Sequence, residues 1–111
     1  MPLTMPFAPG DLVVVVLHSP RERLWGRLLG LEASGIALRG LDLTPWEDVL
    51  TLVRTGQGDQ VALGTRFLPM HRLETFYLDE PSSGVPSLGQ IFHERTGLDP
   101  AAFLGAAPDP T

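Results

Sequence analysis

The chain has no cysteine, no lysine and no asparagine, and it has only one tyrosine. Without cysteine there is no disulfide framework, no thiolate-bound zinc and no thiol nucleophile. All eight basic residues are arginines, outnumbered by thirteen acidic ones for a formal net charge of −5. That balance works against tight phosphate neutralisation, which needs several cations facing one backbone. Long hydrophobic runs are missing as well. The apolar stretch 12–17 is broken at once by His18, Ser19 and Pro20, well short of the roughly 20 residues of a spanning helix. The first ten residues hold three prolines and no basic residue, unlike a secretory signal. These absences lead to the expectation of a cytoplasmic chain with no membrane segment and no cofactor.

What is present suffices for one modest core. At 111 residues, 43% of them hydrophobic and 19% charged, the chain reads as a single folded domain rather than a disordered one. Residues 11–18 form a β-branched run, too short for a buried helix, and read as a strand covered on both faces. Residues 23–33 form a second strand, with Leu24, Gly26, Leu28, Gly30 and Glu32 on one face and Trp25, Arg27, Leu29 and Leu31 on the other. Its internal glycines indicate sharp bending or close backbone approach. Ser34-Gly35 supplies a turn, and residues 36–43 return as a third strand.

The period then changes. Trp46, Val49, Leu50 and Val53 recur at helical spacing, with Thr44 as cap, Pro45 at the first helical position and Glu47 as capping-box partner, giving a helix over 44–55. After a loop at 57–59, residues 60–70 and 72–79 read as two strands meeting at a tight turn near Met70-His71. Pro69 cannot donate to a ladder and belongs at a strand end or edge. Residues 81–86 read as a linker, and Ser87 with Gln90 forms a second capping-box pattern for a helix stopped by Gly97. Asp99-Pro100 opens a further turn. The expected organisation is a flexible segment 1–10 whose Phe7 can still dock on the domain, a barrel domain 11–80, the linker, a helical extension 87–105 and a disordered tail 106–111.

Three curled strands, an inserted helix and two strands joined by a tight turn resemble the strongly bent five-stranded barrel of the Sm-like family; the alternative is another small curled barrel such as an SH3-like one. Trp25-Gly26-Arg27-Leu28-Leu29-Gly30-Leu31-Glu32 followed by Gly35-Ile36-Ala37-Leu38 is similar to that family's first motif. Phe67-Leu68-Pro69-Met70-His71-Arg72-Leu73-Glu74-Thr75 resembles the passage from fourth to fifth strand in bacterial Hfq-type members. The resemblance implies self-association through strands four and five, with Gly64, Arg66 and Leu68 on one edge and Leu73, Thr75 and Tyr77 on the other. It also implies an RNA-binding alternative carried by His71, Arg72, Arg39 and Glu32. Departures from the family pattern weigh against RNA: Gly35 sits near the family's asparagine position, Met70 replaces a lysine, and the usual N-terminal helix has no counterpart.

No motif points to catalysis. His93-Glu94 is followed by Gly97 rather than a second histidine at helical spacing. Gly56-Gln57-Gly58 follows a helix, the wrong order for a phosphate cradle. Ala33-Ser34-Gly35 is a hairpin turn, and the adjacent pairs Glu47-Asp48 and Asp79-Glu80 suit a helix start and a solvated strand end. His18, His71 and His93 are too scattered to suggest a metal site. The expectation is a non-catalytic, oligomeric interaction or scaffold module.

Overall fold

A computed structural model describes residues 5–105; the expectations for residues 1–4 and for the tail 106–111 lie outside it. Five strands, β1 (Leu12–Leu17), β2 (Glu22–Glu32), β3 (Gly35–Asp42), β4 (Gly64–Pro69) and β5 (Leu73–Leu78), form one antiparallel sheet in the order β4-β3-β2-β1-β5. Three helices accompany it: α1 (Trp46–Arg54), α2 (Leu88–Thr96) and α3 (Pro100–Leu104).

The sheet separates two apolar clusters, so β1 is covered on both faces as its sequence predicts. Val13, Val15 and Leu17 face inward with Leu24, Leu28, Ile36, Leu38 and Leu68. On the outer face Val14, Trp25 and Leu41 lie against Val49, Leu50 and Val53 of α1, Phe92 of α2 and Leu104 of α3. Trp25 is fully buried, its ring edge-on to Trp46 at 5.3 Å and tilted against Phe92 at 5.6 Å. Complete burial of a side chain of this size dominates the outer cluster.

The linkage of the outer strands dictates a curled sheet. In a flat diagram β4 and β5 sit about 19 Å apart at four strand spacings and run the same way, so the end of one lies far from the start of the other. Yet only the short 3₁₀ turn Met70–Arg72 joins them, spanning less than about 14 Å even if extended. The curl has a local source at Gly26 and Gly40, which face each other across β2 and β3. A Cβ on Gly26 would stand 2.8 Å from the Gly40 Cα, and one on Gly40 would stand 2.7 Å from the Gly26 Cα. The expected bend is therefore present, but the sheet is open rather than a closed barrel, because β4 pairs only with β3 and β5 only with β1.

Several local expectations are corrected. The register shifts between Leu28 and Gly30, so Leu29 is an extra, bulged residue and Leu31 packs with the inner cluster, the face opposite to that given by strict alternation. Helix α1 has Pro45 at its N-cap and no side-chain cap. The Thr44 amide instead bonds Asp42 Oδ1, and Glu47 reaches Arg95 at 2.9 Å. The second capping box forms in both directions between Ser87 and Gln90, and Gly97 closes α2 with a left-handed backbone. Strand β4 begins at Gly64, since residues 58–60 are a 3₁₀ turn. Two of the described residues before β1 contact the sheet: Gly10 N donates to Leu28 O at 2.7 Å, and Phe7 packs on Phe76 with ring centroids 4.7 Å apart.

Candidate interaction surface

The two outer strands carry the exposed features. Antiparallel partners alternate between pairs that exchange both hydrogen bonds and pairs that exchange none. Met70 N donates to Ser34 O, which makes the in-register pairs Leu68–Ile36, Arg66–Leu38 and Gly64–Gly40 the bonded ones. The backbone groups of Thr65 and Phe67 therefore point to the open edge. Pro69 shares their parity and turns its missing N–H outward, the edge position its sequence predicts. On the other side Asp79 N donates to Leu12 O, so Tyr77 and Thr75 bond to β1. The open edge of β5 is then served by the backbone of Phe76 and Leu78.

This parity sharpens the edge residues named from sequence. Gly64, Arg66, Leu68, Thr75 and Tyr77 lie on the right strands but spend their backbone groups inside the sheet, and the Leu73 N–H bonds Met70 O. Thr65, Phe67, Phe76 and Leu78 hold the outward donors and acceptors. Phe67 is 52% exposed and Tyr77 44% exposed. Alternation in β4 already contained this signal: Phe67 and Leu68 are adjacent apolar residues, so one of them must face away from the inner core. Leu68 takes the core and Phe67 points out.

Beside the β5 edge lies an apolar groove of about 660 Å³, floored by Phe7, Leu31 and Phe76, flanked by Met5 and Met70, with Glu32 as its charged member. A second concavity of about 320 Å³ lies where the chain enters β4, between Leu24, Leu38, Leu63 and Arg66.

The four residues of the RNA alternative do not form one surface. Glu32 and His71 are exposed at the same end of the molecule, where Met70 N reaches the β2–β3 turn. Arg39 is on the outer face, donating to the Leu104 carbonyl at 2.9 Å and to Thr65 Oγ1 at 3.2 Å. Arg72 is held at the corner before β2, where it donates to the carbonyls of His18 and Pro20 and to Glu22 Oε2 at 2.9 Å. Arg66 of β4 reaches the other Glu22 oxygen at 3.4 Å. Side chains thus link β4, β2 and the turn, although no ladder joins β4 to β2. The Arg72 hydrogen bond above all holds the Glu22 carboxyl below its ordinary range, against an opposing effect of burial and with further help from Arg66.

Asp79 departs most from its sequence reading as a solvated strand end. Its Oδ2 accepts from Trp25 Nε1 at 3.0 Å and from Gly89 N at 2.8 Å, and its Oδ1 accepts from Leu88 N at 2.8 Å. It anchors α2 to the sheet through the two amides at the helix start. Among the described residues no three metal-ligating side chains come together, and no helix is long and apolar enough to cross a membrane. No protein-family model, curated protein or solved structure matches the chain.

Proposed function

We propose that this protein is a non-catalytic interaction module of Sm-like type that assembles with copies of itself through the open edges of β4 and β5, and that it works in the cytoplasm. The observation that carries the reading is the pair of unpaired sheet edges, each bearing a half-exposed aromatic residue. An uncovered edge is a template for strand addition, and only Pro69 and the charges of Arg66 and Glu74 oppose it here. The strand order and the three-residue turn between the outer strands agree with the family resemblance. RNA binding has less support, because two of its four residues have their guanidinium groups engaged within the chain.

Sedimentation velocity from micromolar to submillimolar concentration tests the reading. It predicts a concentration-dependent species larger than the monomer, and a strictly monomeric boundary throughout the range refutes it. A titration with U-rich and A-rich oligonucleotides at low salt tests the RNA alternative, in which binding weakened by His71→Ala is the expected signature.

A further inference from the structure

The edges differ in a way that decides how they can meet. The outward backbone groups of β4 belong to residues whose side chains lie on the outer face, and Phe67 stands opposite Ala37 there. Those of β5 belong to Phe76 and Leu78, whose side chains lie on the inner face against the inner cluster. In any antiparallel ladder, residues directly opposite each other project to the same side, with Cβ atoms about 4.5–5.5 Å apart. A β4 strand bonded to the β5 edge of another copy therefore brings its outer side chains onto the inner side of β5. The side chain opposite Phe76 then lies beside the Phe76 ring, which is one wall of the apolar groove.

Resting on the assembly reading above, we propose that Phe67 of one copy inserts into the groove formed by Phe76, Phe7, Leu31, Met70 and Met5 of the next. The occupant is a second copy of this chain, and the joint is heterologous. Charge weighs against pairing β4 with another β4. Arg66 is the one charged residue of β4, and its side chain is 46% exposed beside Glu22. A fully overlapped β4–β4 ladder, with Thr65 opposite Phe67, sets two Arg66 side chains directly opposite each other, which disfavours that joint. The inserted ring fills a concavity whose flanking residues are otherwise exposed, Met5 at 61% and Met70 at 43%. Because the knob and the hole are on different edges, each copy keeps one of each after joining, and assembly continues until the geometry closes a ring or extends a filament.

Phe67→Ala removes the knob and Met70→Glu puts a charge into the hole; both positions are exposed, so circular dichroism should match the parent chain. Each variant alone is expected to dissociate in sedimentation velocity, with the apparent dissociation constant raised at least about 30-fold, as for a central aromatic anchor. Mixed in equal amounts, they are expected to form a one-to-one dimer, since the Met70→Glu copy keeps its Phe67 and the Phe67→Ala copy keeps its groove. If the parent chain assembles but Met70→Glu has no effect, or the mixture stays monomeric, the knob-in-groove joint is wrong while edge assembly stands. If the parent chain is monomeric throughout, both fail.

Discussion

The indole Nε1 of Trp25 donates to Asp79 Oδ2 at 3.0 Å, joining two residues 54 positions apart in the chain. The same carboxylate accepts the Leu88 and Gly89 amides, so one side chain fixes the central tryptophan and the start of α2 together. Replacing Asp79 with alanine leaves three part-buried donors without their acceptor, at an expected cost of about 2–4 kcal/mol. Urea unfolding followed by tryptophan fluorescence measures it, and an unchanged midpoint would dismiss the anchor.

Glu22 contributes to the acid limb of stability. Its carboxyl is held below the ordinary range chiefly by the Arg72 hydrogen bond, against the opposing effect of burial. A depressed folded-state pKa adds stability that is fully present above the unfolded-state value and is lost as pH falls through the folded-state value. Glu22→Gln should lower stability near neutral pH by about 1–2 kcal/mol and converge with the parent chain at strongly acidic pH. Parallel unfolding curves for the two proteins at every pH would exclude this role.

The facing glycines of β2 and β3 tolerate no side chain. Gly26→Ala and Gly40→Ala each force a methyl group into the opposing backbone and should cost about 3 kcal/mol or more, or prevent folding. Gly64→Ala, with nothing within 4 Å of the new methyl group, should shift stability by less than about 1 kcal/mol. Thermal melts of the three variants provide the comparison, and equal losses would show that close approach is not the cause.

Caps separate the two longer helices. Ser87→Ala breaks a formed capping box and should cost about 1 kcal/mol. Thr44→Ala should be near neutral, since the Thr44 side chain caps nothing. A larger loss at Thr44 than at Ser87 in chemical denaturation would reverse this assignment.

Much of this architecture can be read from residues in a row. The Val run of β1, the spacing of Trp46, Val49, Leu50 and Val53, and the Ser87–Gln90 and Asp99–Pro100 starts are local patterns, and their elements are present. What escapes a linear reading depends on partners brought from afar. Asp79 reads as a solvated strand end until Trp25 and the start of α2 meet it. Thr44 has the right chemistry for a cap, but its amide is taken by Asp42. Leu31 changes face because one bulged residue shifts everything beyond it by half a period. Of the candidate surface, the strands themselves are legible. Which residues turn their backbone outward is not, because it depends on hydrogen-bond phase inherited across the whole sheet.

The order of the strands also has a consequence in time. β1 is made first and sits next to the edge, and its second neighbour, β5, ends at Leu78. During synthesis β1 and β2 can form a hairpin early, but the β1 backbone facing β5 stays unsatisfied until some 60 further residues have followed, and long-range pairing of this kind is slow. Until then the all-valine centre of β1 is a temporary edge strand of high β-propensity with no charge to guard it.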